Sequence, residues 1–153
     1  MKRLILLLAI GSMAFASSCT HTSKAGEEAT VAARDFSPVD GKAVVYLYRP
    51  GKFVAGGVMT PIKVNGLDAG GTGPGTFFRW ELPPGVYTFS AQNSASTQMV
   101  QVDAKAGEVY YIKEQEHIGV ASRDTRISMK ETTAKEAQPV IKKGKLLLSN
   151  YTP

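Results

Sequence analysis

The side chains able to ligate a metal or act as a nucleophile are few: one cysteine, Cys19, and two histidines, His21 and His117. Glu114 and Glu116 stand beside His117, but neighbouring residues on a strand face opposite ways. The spacing also matches no zinc pattern, so the trio reads as the solvated end of a loop. Nucleophilic catalysis needs a serine or cysteine with an oriented base. No G-x-S-x-G is present, His117 is the only imidazole outside the N-terminal region, and no signature marks a Ser-Lys pair. The expectation is a protein without catalytic residues, metal or cofactor. The run Gly70-Gly71-Thr72-Gly73-Pro74-Gly75 lacks the following helix and lysine that a phosphate cradle requires, and reads as a flexible inter-strand loop. Lys142, Lys143 and Lys145 form the densest charge cluster. They read as a solvated face, with contact to anionic headgroups as the sharper alternative. Between Gly51 and Met59, the apolar Phe53, Val54 and Val58 alternate with glycines. They either form an apolar tip for a partner or fold down over the core.

Cys19 belongs with what precedes it. Met1-Lys2-Arg3 is a short positive start, and Leu4 to Ile10 is an apolar run. Even extended to Phe15, that run falls short of the roughly 20 residues needed to span a bilayer. Ala16-Ser17-Ser18-Cys19 follows. This pattern resembles the bacterial lipobox, although Ala16 stands where leucine is usual. The resemblance implies a signal peptide over residues 1–18, cleavage before Cys19, and a lipid-carrying cysteine at the mature N-terminus. Acyl chains contribute roughly 0.8 kcal/mol per buried methylene, and more than one chain gives stable anchoring. By resemblance to Gram-negative sorting, Thr20 in place of an aspartate implies the outer membrane, facing the periplasm. No cysteine remains to staple the domain.

The mature chain is a modest cation. Loss of Lys2 and Arg3 takes the basic residues from 18 to 16 against 13 acids, a net charge of +3. That balance argues against a nucleic-acid partner.

The elements that would position any site are short and β-rich. Residues 19–39 are polar, lack an apolar period and read as a flexible tether holding the domain away from the lipid. Residues 40–153 read as one domain. Ala43 to Arg49 is apolar on both faces, as a central strand would be. Asn65-Gly66 marks a two-residue hairpin turn. Phe78, Trp80 and Leu82 alternate on one strand, and Tyr87, Phe89 and Ala91 on the next, around Pro83-Pro84-Gly85; this pair reads as a second hairpin. Strands are also expected at Met99–Val102, Val109–Lys113 and Arg126–Met129. Thr133 to Glu136 has the spacing of a capping box, opening a short helix that Pro139 either limits to a turn or two or restarts toward Val140 and Ile141, and Lys145–Leu148 reads as a last strand or a packed tail. The expected fold is all-β: an antiparallel sandwich with a short C-terminal helix.

The order of Gly41–Pro50, Val64-Asn65-Gly66, Phe78-Arg79, Leu82-Pro83-Pro84-Gly85 and Gly107-Glu108-Val109-Tyr110-Tyr111 resembles an uncharacterised domain family common in bacterial lipoproteins, over about residues 40 to 148. The second half also resembles PEGA-type modules, which implies a transthyretin- or immunoglobulin-like sandwich. The resemblance supplies no activity. The functional expectation is therefore a non-enzymatic envelope lipoprotein that binds a protein or envelope polymer. A secretion-apparatus lipoprotein and a small envelope hydrolase are the alternatives.

Overall fold

The computed structural model describes residues 22–51, 58–118 and 125–153. Its centre is β1 (Ala43–Arg49), buried at every position. Two different layers bury it. Ala43, Val45 and Leu47 enter the main core, while Val44, Tyr46 and Tyr48 enter a second cluster on the opposite face.

The strands after β1 are β2 (Thr60–Val64), β3 (Leu67–Thr72), β4 (Thr76–Leu82), β5 (Gly85–Gln92), β6 (Thr97–Ala104), β7 (Val109–Ile118), β8 (Thr125–Thr132) and β9 (Lys145–Leu146). One sheet has the order β8-β7-β1-β4-β9 and the other β3-β2-β5-β6. Residues of both sheets share the main core, including Leu47, Phe78, Trp80, Ile62, Phe89 and Ile112. The second cluster lies on the outer face of the five-stranded sheet. There Ala33, just past α1 (Glu27–Ala32), and Ala137 and Ile141 of α2 (Ala134–Ile141) pack over Tyr46, Phe77 and Tyr111.

The expected β architecture and inward-facing residues are present, with two differences in connection. The five-stranded sheet is mixed, because β1 runs parallel to β7 and β4 parallel to β9. The stretch around Pro83-Pro84-Gly85 is a corner rather than a hairpin turn: β4 lies in one sheet and β5 in the other. Two successive prolines offer no N–H to a ladder, and the alternation on either side reports which face is buried but not which sheet. The Ala106-Gly107-Glu108 turn makes the same kind of crossing, from β6 to β7.

Local signals are realised directly. Asn65 and Gly66 both have positive φ, 51° and 81°, as a type I′ turn between β2 and β3 requires. The Asn65 side chain also accepts from the Thr88 N–H at 2.8 Å. Gly66→Ala puts a Cβ into the left-handed region and is expected to cost about 1 kcal/mol, read from the urea midpoint with an unchanged slope. At α2, the Thr133 hydroxyl accepts from the Glu136 N–H at 3.3 Å, and the helix ends two residues beyond Pro139.

Residues 22–39, part of the expected tether, are packed onto the sandwich. Ala25 N–H donates to Leu146 O at 2.8 Å, and Leu148 N–H to Ser23 O at 2.9 Å, so this segment runs antiparallel beside β9. The buried Thr22 accepts from the Gly71 N–H of β3, and the Tyr46 hydroxyl donates to Ala33 O at 2.7 Å. A segment without apolar periodicity is held here by backbone bonds at 23–25 and by single side chains beyond, with Phe36 packed on Tyr46 and Tyr111 and Arg34 Nη2 donating to Gly144 O at 2.6 Å.

Candidate functional site

At one end of the sandwich the apolar core gives way to charge. The inward parity of β1 runs Ala43, Val45, Leu47 and then Arg49, which is only 4% exposed. That of β7 continues from Ile112 to Glu114 and Glu116, 0% and 6% exposed. Thr60 at the start of β2 and Thr72 at the end of β3 face them from the other sheet, both buried. The expectation that Glu114 and Glu116 end a solvated loop is thus corrected. β7 extends to Ile118 and carries both carboxyls inward, and among the trio only His117 is exposed, with Nε2 2.9 Å from the Ser128 hydroxyl.

Arg49 organises the cluster. Its Nη2 donates to Glu116 Oε2 at 2.7 Å, and its Nη1 faces Val58 O at 2.9 Å, Thr60 Oγ1 at 3.1 Å and Thr72 O at 3.2 Å. Two hydrogens on Nη1 serve those three acceptors, so one is shared. The Thr60 hydroxyl donates onward to Glu116 Oε1 at 2.8 Å. The guanidinium therefore spans the gap between the sheets and fixes the backbone at both ends of the β2–β3 hairpin.

Glu114 is held less completely. Its Oε2 accepts from the Thr72 hydroxyl at 2.6 Å, while Oε1 is buried with no partner. Burial pushes its carboxyl up to about 7, against the opposing pull of the Thr72 hydrogen bond and the Arg49 charge; the nearby Glu116 adds to the rise. With the carboxyl protonated, the charges of Arg49 and Glu116 cancel. Once it ionises, the cluster carries a net negative charge in a site shut off from water.

The glycine-rich run expected as a flexible loop is half strand and half tight connection. Gly70, Gly71 and Thr72 belong to β3, and Gly73-Pro74-Gly75 is a tight connection in which the Thr76 hydroxyl donates to Gly73 O at 2.8 Å. Of the other expected site residues, Cys19, Phe53 and Val54 lie outside the described residues. Val58 is 57% exposed, so its side chain does not cap the core, and its carbonyl is one of the two that Arg49 holds. The basic cluster is partly engaged: Lys145 pairs with Glu27 at 2.6 Å, and the Lys142 ammonium lies 6.0 Å from the centre of the Phe36 ring. Sequence reading missed the buried pair because both partners are hydrophilic. The available signal was parity with Leu47 and Ile112.

A family model described as "Protein of unknown function (DUF2846)" matches residues 39–134. The match covers β1 to β8, while the 22–25 segment, most of α2 and β9 lie beyond it. No curated protein matches the chain.

Proposed function

Because the chain belongs to the DUF2846 family of proteins of unknown function, its role has to be sought in its own residues, and we propose a lipid-anchored, non-enzymatic module of the bacterial cell envelope. In this reading Cys19 carries the lipid, and the end of the sandwich above Arg49 contacts a protein or envelope-polymer partner. The outer membrane, facing the periplasm, is the proposed address.

The observation that carries the contact half is the Arg49 clamp. Its guanidinium and the Glu116 carboxyl are spent on each other and on Val58 O, Thr60 and Thr72. The described bonds commit three of the five guanidinium N–H groups, and the pair fixes the backbone at the open end of the β2–β3 hairpin. The exposed Val58 side chain sits on that shaped backbone, and Phe53 and Val54 precede it in the chain. The likeness to PEGA-type and transthyretin-like modules belongs to the same reading, as a fold analogy.

Crosslinking the full lipidated protein in native membranes tests this. A single envelope partner is expected, lost in Val58→Asp and in the Phe53→Ser, Val54→Ser pair. Equal recovery with all variants overturns the loop-end contact. The mass of the mature N-terminus, compared with Cys19→Ser, tests the anchor, and turnover abolished by His117→Ala would overturn the non-enzymatic reading.

A further inference from the structure

We infer that the domain lies against the membrane by one lateral edge, made of Thr22–Lys24, β3 and the segment Leu147–Tyr151, rather than standing off on a tether. This rests on the proposed lipid at Cys19 and adds an orientation to it.

Among the described residues, the first contact is made only three positions after Cys19. Thr22 is 8% exposed, its hydroxyl accepts from Gly71 N–H, and it lies flat on the backbone of β3. The fit is tight: a Cβ on Gly70, whose φ is +105°, would stand 2.7 Å from Thr22 Oγ1 and 2.9 Å from its Cγ2. Ser23 and Ala25 are then tied to Leu148 and Leu146, with Lys24 bridged to Leu147. The same edge is closed from below by Asn150, whose N–H donates to Ala69 O at 3.2 Å and whose amide donates to Asp68 at 2.7 Å.

Chain geometry then limits where lipid can be. Three residue steps separate Cys19 from Thr22, and an extended chain advances at most about 3.6 Å per step, so the two Cα atoms lie within about 11 Å. A ten-residue strand such as β7 is about 33 Å long. The anchor therefore reaches less than half the length of the sandwich. Across the sheet, β6 lies three strand spacings from β3, about 14 Å, so the anchor's Cα does not reach that far edge.

The surface within reach has suitable chemistry. Leu67 on β3 and Leu148 are 62% and 54% exposed; Lys24, bridged to Leu147, is exposed, and the exposed Lys63 stands opposite the exposed Asp68 of β3. Exposed leucines beside lysines make an interfacial set: the apolar groups enter the headgroup boundary and the ammonium groups favour anionic lipid. The end of the sandwich above Arg49 then projects sideways along the membrane.

Spin labels placed singly by Leu67→Cys, Leu148→Cys, Val58→Cys and Met99→Cys, on the lipidated protein in vesicles of phosphatidylethanolamine and phosphatidylglycerol, test the orientation. Collision with lipid-dissolved oxygen is expected to be severalfold higher at positions 67 and 148 than at 58 and 99. A long Gly-Ser insertion between Thr20 and His21 is expected to erase that difference while the lipid stays attached. Equal signals at all four positions, a higher signal at 58 or 99, or indifference to the insertion overturns the edge contact. N-terminal mass separates the failures: an unmodified Cys19 removes the anchor and the orientation together, whereas a lipidated Cys19 with equal signals removes the orientation alone.

Discussion

Arg49→Met is expected to lower the stability of the domain by about 3–5 kcal/mol, because it strands a buried carboxylate without its partner. Glu116 is 6% exposed, and its two strong contacts are Arg49 Nη2 at 2.7 Å and the Thr60 hydroxyl at 2.8 Å. Removing the guanidinium leaves one hydroxyl to solvate that charge. It also frees Val58 O and Thr72 O, which then need other donors or water. Urea unfolding measures the loss. The double variant Arg49→Met, Glu116→Leu distinguishes its origin, since a buried pair replaced by apolar groups of similar volume is often neutral. Recovery of most of the loss is expected, giving a strong coupling between the two positions. A single variant costing less than about 1 kcal/mol, the range of exposed pairs, would show that Arg49 is not the clamp.

Glu114→Gln is expected to act in the opposite direction, and only at high pH. The Glu114 carboxyl sits near 7 in the folded domain against an ordinary 4.5, so the folded state holds its proton more tightly. Below pH 4.5 both states are protonated and the site costs nothing. Between 4.5 and 7 the unfolded chain releases a proton that the folded chain keeps, so stability falls as pH rises. Above 7 the full cost is present, on the order of 3 kcal/mol from the separation of the two values. Glutamine keeps the shape and a partner for the Thr72 hydroxyl but never ionises. The variant should therefore match the native domain in acid and exceed it by about 2–3 kcal/mol well above pH 7. The comparison is of the two unfolding curves at each pH, which cancels titration elsewhere. Parallel pH profiles would disprove the assignment.

What sequence reading captured was local. The two-faced apolar run of β1, the Asn65-Gly66 turn and the Thr133 cap each depend on a few adjacent residues, and each was legible. Strand exchange between sheets was not. Phe78, Trp80 and Leu82 alternate identically whether the next strand pairs with theirs or packs across from it, so Pro83-Pro84-Gly85 looked like a hairpin. The Arg49–Glu116 pair was hidden for a related reason. The partners are 67 positions apart, and two hydrophilic residues mark an interior only when their parity is followed past the last apolar neighbour. The docking of Thr22–Ala25 depends on backbone hydrogen bonds to Leu146 and Leu148 and on a bed of glycines at Gly70 and Gly71. None of these leaves a hydrophobic period to detect.

The antiparallel run of Thr22–Ala25 beside Leu146–Leu148 also sets an order of assembly. Contacts of such sequence separation form late, because a long loop must close before they are made. As the chain emerges, residues 22–25 wait unpaired for more than a hundred residues, while the Asn65-Gly66 hairpin can close early. The parallel pairing of β1 with β7 waits for residues 109–113 in the same way. The edge beside β9 is thus sealed last, and until then the growing chain presents open strand edges.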